Sequence, residues 1–459
     1  MKFKTLLSLL FLVFSHSVFS QQSENIKILA HWDQADIPFN GSAKYNDVLG
    51  FTVNGEEFGA IGSTMGTHIF HLPQNNELKE VGYFPGAFQE FVVHRDFAFF
   101  EGYLYAVCDQ GSSSLQVIDV SNLPSSAEMV LDDDSLVVTA HNVTVDEYGE
   151  KLYLSGVRGE VGVNDSIVSY PLLVFDLSVT PQNPELIYDL REIPEIEYVH
   201  DVYARRDTVF LNAANQGFFA FDFQNGSDPQ ILSFMDSYQD QGYNHSGWMS
   251  DDGKYYAFAD ETPSMRMKIV DIQDFNDMNV VSLFNSGGNP STMAHNLRWK
   301  GDKIYVSHYY DGLQVFDAKD RGNPFRCAFF DTHLEEEING RGAWGIDVLP
   351  SNRILISDRQ TGFYVFKELD PSDDVSDLRV YPNPANGNFT INLSQYEFST
   401  AEIKMTDASG ALYLHRILDN PEDDLRYYAA DFPDLAAGIY VLDVVLDEER
   451  VLQTRVMIY

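Results

Sequence analysis

The sequence predicts an all-β protein in which a seven-bladed β-propeller, closed by an N-terminal strand, precedes a small C-terminal β-sandwich. A three-part sequence pattern occurs seven times along the chain, at intervals of 45 to 59 residues. A four-stranded propeller blade is a unit of this size. Within each copy, apolar and polar residues alternate between turn residues, which is typical of short antiparallel strands. After residue 368 the repeat stops and a different alternating pattern begins.

The clearest copies open with a polar pair and later run into an apolar strand that ends at Asp, as in LLVFD, which ends at Asp176. In the third copy the alternation predicts strands at 141–145, 151–155, 172–175 and 185–188. The seven opening pairs are Asn46-Asp47, Arg95-Asp96, His141-Asn142, His200-Asp201, His245-Ser246, His295-Asn296 and Trp344-Gly345.

The first 20 residues have the pattern of a secretory signal peptide. Lys2 and Lys4 precede an apolar run from Leu6 to Phe14, which is too short for a membrane span. No later stretch is apolar enough to cross a bilayer, so we expect no transmembrane segment.

The propeller is predicted to span residues 21–368. Its seventh copy, from Trp344, supplies three strands and lacks an outer one. The segment Ile26 to Trp32 resembles the outer strands of other copies, so we expect it to complete the last blade and close the ring. An acidic linker follows at 369–378, and 379–459 fits about seven short strands, the size of a small β-sandwich.

The composition excludes several partners. The net charge of −39 repels nucleic acid and anionic lipid. Solubility in salty water and surface binding of divalent cations both fit such acidity. Cys108 and Cys327 are the two cysteines, too far apart in sequence to suggest a disulfide framework, and we expect unpaired thiols.

The C-terminal region carries a set of residues with a recognisable pattern: Tyr381-Pro382-Asn383-Pro384, Gly387, Phe389, Asp407, Gly410, Gly438-Ile439-Tyr440-Val441 and Arg455. With these residues the region resembles the sorting domain of type IX secretion in Bacteroidetes, called the Por secretion tail. This resemblance implies contact with the type IX machinery and export across the outer membrane, followed by release or attachment at the cell surface.

The repeat region carries a second set of residues with a recognisable pattern. This set includes Asp47, Gly50, the segment GTHIFHL from Gly66, Arg95-Asp96, His141-Asn142, His200-Asp201-Val202, Asp260-Glu261, His295-Asn296, Trp344-Gly345 and Ser357-Asp358. With these residues the region resembles the LVIVD-repeat proteins of the choice-of-anchor B family, a propeller fitted with varied surface anchors. Leu49 departs from the usual Trp of the family.

The opening pairs occupy equivalent positions in successive copies of the repeat, here called a column. We expect the propeller to place this column around its axis. His141, His200, His245 and His295 come from four consecutive copies, and neutral imidazole is a good ligand for a divalent metal such as Zn, Fe or Cu. The same histidines could instead hydrogen-bond the backbone of neighbouring blades. A ligand-binding rim that includes Arg95 and Trp344 is the third interpretation, and Asp96 and Asp201 are candidate outer partners of the histidines.

A second polar set stands where the second strand of each copy ends. Because strands one and two are antiparallel, we expect this set on the face that carries the histidines, where it would suit a polar ligand such as a glycan. A solvated loop face would look the same. The set comprises Asp109, Asn212, Asp260, Glu261, His308, Tyr309 and Asp358.

No motif in the sequence specifies a reaction. We therefore predict a secreted or cell-surface propeller that binds a polar ligand, such as a glycan, or a surface protein. The alternative is a metal-dependent hydrolase or lyase acting on polysaccharide, with the four histidines at its centre. A propeller without any ligand pocket would be a structural spacer.

Overall fold

The computed structural model describes residues 23–161, 166–288, 290–333, 340–369, 378–381, 388–393, 396, 398–407, 411–419, 427–432, 435–436, 438–447 and 450–458. These residues form β-strands and one 3₁₀ turn, Leu190–Glu192, with no α-helix among them, so the all-β prediction is confirmed. The predicted signal peptide and residues 370–377 of the predicted linker lie outside the described residues. None of the helical structure in the described ranges could span a membrane.

Seven sheets carry the repeats in the described ranges, and two N-terminal strands join the last two of these sheets. The N-terminal strands are β1 (Ser23–Glu24) and β2 (Ile26–Trp32). Sheet one has β3 (Tyr45–Val53), β4 (Glu56–Ser63), β5 (Gly66–His71) and β6 (Lys79–Pro85). Sheet two has β7 (Arg95–Phe100), β8 (Tyr103–Cys108), β9 (Leu115–Asp119) and β10 (Glu128–Asp133). Sheet three has β11 (Asn142–Asp146), β12 (Lys151–Val161), β13 (Ser166–Asp176) and β14 (Glu185–Asp189).

The remaining sheets follow in chain order. Sheet four has β15 (Asp201–Arg205), β16 (Thr208–Asn212), β17 (Phe218–Asp222) and β18 (Gln230–Met235). Sheet five has β19 (Asn244–Met249), β20 (Tyr255–Asp260), β21 (Met267–Asp271) and β22 (Asn279–Phe284). Sheet six has β23 (Leu297–Lys300), β24 (Lys303–Ser307), β25 (Leu313–Asp317) and β26 (Phe325–Phe330). Sheet seven has β27 (Ala343–Val348), β28 (Arg353–Asp358) and β29 (Gly362–Glu368).

The sheets are arranged in a cycle. The first strand of each sheet contacts the first strand of the next, and β27 of sheet seven contacts β3 of sheet one. A separate apolar cluster fills each interface between neighbouring sheets, including the interface where the last sheet meets the first. There, Ile61 of sheet one packs with Leu355 and Phe363 of sheet seven. This cyclic packing is the architecture of a β-propeller.

The N-terminal segment closes the ring. Strand β2 pairs antiparallel with β29, and Ile28 lies opposite Phe366, as the sequence predicts. Strand β1 continues into sheet six, where Ser23 pairs with Phe330, which the sequence does not predict. Ile26, the first residue of β2, is buried in the cluster shared by sheets six and seven.

Sheet three differs from the expectation in one respect. Strands β12 and β13 each run for 11 residues rather than the predicted 151–155 and 172–175. The longer hairpin forms because Val157 and Tyr170 lie opposite each other and are buried in the cluster between sheets two and three.

The C-terminal residues form two antiparallel sheets that share one apolar core. One sheet contains β30 (Arg379–Tyr381), β31 (Asn388–Asn392) and β34 (Tyr427–Asp431). The other contains β32 (Thr400–Asp407), β33 (Leu412–Asp419), β35 (Gly438–Leu446) and β36 (Arg450–Ile458).

Both cysteines are unpaired, as expected. Burial raises the pKa of Cys327 to about 12, so this thiol is protonated and unreactive at neutral pH.

Candidate functional site: a collar of histidines at the propeller axis

A closed ring of six aromatic side chains, here called the collar, lies where the first strands of six sheets begin. Neighbouring rings are in contact, with centroid separations of 3.9 to 5.8 Å. Five members are buried, and His141 is nearly so. In order around the ring, the collar residues are His94, His141, His200, His245, His295 and Trp344.

The repeat explains why these rings meet. His141 and His200 immediately precede β11 and β15, and His245 is the second residue of β19. Because the sheets radiate from one axis, equivalent positions of successive first strands converge on it. Sheet one has Asn46 at this point of the repeat, so it contributes no ring.

Three histidines turn Nδ1 toward a neighbouring sheet. His200 Nδ1 donates to the carbonyl of His245 at 3.1 Å, and His295 Nδ1 donates to the carbonyl of Trp344 at 2.8 Å. His141 Nδ1 lies 2.9 Å from Asp109 Oδ2 of sheet two. His200 and His295 therefore each hydrogen-bond the backbone of the next sheet in the cycle. In neutral His200 and His295 this tautomer leaves Nε2 as an acceptor.

His245 differs from the other three. Its Nδ1 faces the His295 backbone without reaching hydrogen-bond geometry, while its Nε2 lies 3.6 Å from Glu261 Oε2. The other carboxylate oxygen of Glu261 accepts a hydrogen bond from the Tyr309 hydroxyl. Tyr309 itself packs edge-on against His295 and Trp344.

Four collar histidines have pKa values that favour the neutral imidazole. Burial lowers the pKa of His94, His200 and His295 well below the usual value, and neighbouring imidazoles lower it further. Burial lowers the pKa of His245 to about 4, although Glu261 opposes this shift. Neutral imidazoles keep their lone pairs, which a hydrogen-bond donor or metal ion requires.

A cluster of buried aspartates lies close to the collar. Val143 N donates to Asp96 and Val202 N donates to Asp201, both at 2.7 Å. Burial raises the pKa of Asp201 to about 7, and burial together with Asp47 raises the pKa of Asp96 well above its usual value. The hydrogen bonds of Asp96 and Asp201 thus go to strand backbone rather than to the histidines, whose carboxylate partners are Asp109 and Glu261.

The sequence predicts that the Arg95 side chain points to the axis, but in the structure it does not. Its Nε donates to the carbonyl of Ser63 at 2.9 Å, and its Nη2 donates to that of Phe88 at 2.6 Å. The preceding residue, His94, joins the collar instead. Successive side chains of an extended strand point to opposite sides. A shift of one residue in the alignment therefore puts His94 at the axis in place of Arg95.

Two further predicted site residues are structural. Asp260 is fully buried in an ion pair with Lys268 and accepts a hydrogen bond from Tyr238. Asp358 is buried and accepts hydrogen bonds from Thr332 and from the backbone N–H of Gln360. Neither carboxylate is available to a ligand.

A polar and aromatic margin, here called the rim, surrounds the collar. Tyr243 lies 5.3 Å from the His200 ring, and the Arg359 guanidinium lies 4.2 Å over Trp344. Tyr198, Tyr243 and Arg359 were not predicted, because they stand outside the repeated columns. The rim residues, all half-buried, are Asp109, Tyr198, Tyr243, Glu261 and Arg359.

One group of three side chains in the described ranges has its ligand atoms close enough together for a metal site. The ligand atoms that His200, His245 and Glu261 each offer lie within 4.8 Å of one another. His141 and His295, which the sequence places in the same candidate site, are not members of this group.

Two cavities lie away from the collar. One of about 470 Å³ occupies the other end of the first strands and is lined by Trp248, Arg298 and Asp347. Another of about 730 Å³ lies between sheets seven and one, beside His71 and Arg353. No collar residue lines either cavity.

Solved β-propellers share the fold at low sequence identity. The β-propeller domain of Cps50 (Swd1) from Myceliophteria thermophila is 10% identical, with a TM-score of 0.51, and the match covers 75% of this chain and 100% of that chain. The WD40 β-propeller domain of Doa1 is 9% identical, with a TM-score of 0.50, over 75% of this chain and 97% of that one. These likenesses show the fold alone.

The tail has a recognised relationship of its own. No curated protein matches the chain. Residues 379–459 match the family described as the secretion system C-terminal sorting domain, which indicates secretion by the type IX system to the cell surface or the extracellular space.

Proposed function

We propose that this chain is an exported binding protein without catalytic activity, whose seven sheets are the blades of one closed propeller of the LVIVD-repeat type. The cyclic contacts between first strands and the apolar cluster at every interface support this blade number. The sorting tail accounts for delivery outside the outer membrane. Release and surface attachment are both compatible with such a tail.

The rim is the proposed binding surface, and a glycan is the proposed ligand. Tyr198 and Tyr243 supply aromatic faces, Asp109 and Glu261 supply acceptors, and Arg359 supplies donors. Saccharide recognition uses apolar faces together with a few placed polar groups, and this rim offers both around one axis. The observation that carries the proposal is the convergence of these half-buried side chains around the collar.

A glycan array with the purified full chain tests this function. We expect binding to a restricted set of glycans, with loss of at least tenfold in affinity in Tyr243→Ala and in Arg359→Ala. Tyr148→Ala is the matched control, because Tyr148 is exposed on a loop of sheet three. Equal binding by the control and both rim variants would overturn the proposal.

A metal-dependent hydrolase or lyase acting on polysaccharide is the second candidate, favoured by the proximity of His200, His245 and Glu261. Product release from polysaccharide, measured as new reducing ends or unsaturated sugars, distinguishes it. Turnover that stops on chelation and in Glu261→Gln would replace the binding function with this one.

A further inference from the structure

We propose that His200, His245 and Glu261 bind one divalent transition-metal ion within the collar. Glu261 also belongs to the rim, but this proposal does not require glycan binding, because it rests on donor geometry and its test measures the metal directly. It also narrows the sequence-based expectation of a four-histidine site to two histidines and a carboxylate.

The distances fit such an ion. Three atoms no more than 4.8 Å apart can all lie within about 2.8 Å of a common point, compared with about 2.0 to 2.2 Å for Zn–N and Zn–O bonds. The 3.6 Å between His245 Nε2 and Glu261 Oε2 is already close to the edge of a tetrahedron with such bonds, about 3.4 Å. Small side-chain rotations therefore suffice for coordination.

The hydrogen bonds around the group orient its donors. His200 gives Nδ1–H to the carbonyl of His245, which leaves its Nε2 lone pair for a ligand. Tyr309 donates to Oε1 of Glu261 and leaves Oε2 facing His245. Outer partners of this kind fix the tautomer and the direction of metal-binding side chains.

One further collar nitrogen lacks a partner. His94 Nδ1 is buried without a hydrogen-bond partner among the described residues. Buried polar atoms are usually satisfied by protein, water or an ion, so the collar is suited to hold a polar species. Two imidazoles and one carboxylate leave further coordination positions open, and this donor set suits Zn²⁺, Co²⁺ or Fe²⁺ better than Ca²⁺ or Mg²⁺.

Titration of the chelator-treated full chain with Co²⁺ tests the site. We expect visible absorption of the bound ion to saturate at one equivalent per chain and to disappear when Zn²⁺ is added. Glu261→Gln keeps an acceptor for Tyr309 and should weaken Co²⁺ binding at least tenfold. His245→Ala should abolish the absorption.

The control must separate this site from the acidic surface. His71→Ala removes a histidine that pairs with Glu56 in sheet one, away from the collar, and should bind Co²⁺ as the parent does. If His245→Ala fails to fold, as judged by circular dichroism, Glu261→Gln carries the test alone. Absence of a saturating signal, or equal affinity in Glu261→Gln and the parent, would overturn the proposal, whatever the glycan array shows.

Discussion

His295 donates through Nδ1 to the backbone carbonyl of Trp344, 2.8 Å away in the next sheet. His200 makes the same bond to the carbonyl of His245, also in the next sheet along. A side chain near the axis thus ties adjacent sheets together at the point where their first strands begin.

Replacing His295 with Ala should destabilise the propeller by about 2–4 kcal/mol, because a buried ring and its inter-sheet hydrogen bond are both lost. Urea unfolding monitored by tryptophan fluorescence measures this change. His71→Ala, in which a more exposed imidazole is removed, should cost far less. An equal cost in both variants would show that the bond to Trp344 contributes nothing.

Acid should destabilise the protein through His245. The folded-state pKa of about 4 lies below the usual 6.5, so the unfolded chain takes up a proton first as the pH falls. Stability from this group is therefore complete above pH 6.5 and is lost between pH 6.5 and about 4. The melting temperature of His245→Gln should fall less over this window than that of the parent. The nearby Glu261 opposes this shift, and His141 adds to it.

Asp201 should act in the opposite direction. Its folded-state pKa is raised to about 7 by burial, so the folded chain holds the proton longer than the unfolded chain does. Its contribution is most favourable below about pH 4 and is lost as the pH rises to 7. Asp201→Asn should therefore gain more melting temperature relative to the parent at pH 8 than at pH 4. A constant difference across this range would contradict the raised pKa.

The buried pair of Lys268 and Asp260 should be sensitive to loss of one partner. Lys268→Met leaves a buried carboxylate without its counter-charge and should cost about 3–5 kcal/mol in unfolding free energy. Adding Asp260→Asn to that variant should recover part of the loss, because the uncompensated charge is removed. Failure of the double variant to recover any stability would argue against a charge-based cause.

The N-terminal strands should be required for stability. A variant that lacks residues 23–32 should melt several degrees lower, because two sheets lose their outermost strands. A finer test is Ile26→Asp, which places a charge in the cluster of sheets six and seven, against Lys27→Asp at an exposed neighbouring position. Equal melting of these two point variants would contradict the closure.

Much of this fold could be predicted because the repeat encodes it. Period and alternation located the strands, and the missing outer strand of the last copy pointed to Ile26–Trp32. The two-residue pairing of β1 with β26 could not be predicted, since Ser23–Glu24 is too short to show any period.

The site was less predictable. Equivalent positions of the repeat located four histidines and Trp344. They could not show whether His94 or Arg95 points to the axis, because that depends on the side-chain orientation at a single residue of the strand. Asp260 carries the right chemistry at the right point of the repeat, yet Lys268 neutralises it within the sheet. Tyr198 and Tyr243 lie on connections between sheets, where no periodic signal exists.

Pairing of residues 23–32 with strands near residues 325–368 has a consequence for biogenesis. The earliest described part of the chain must wait for nearly the last part of the propeller before its strands find partners. Until then, β1 and β2 lack their partner strands, and the incomplete propeller is open, with exposed apolar faces at both ends. A chain interrupted before Glu368 would therefore be prone to aggregation and proteolysis.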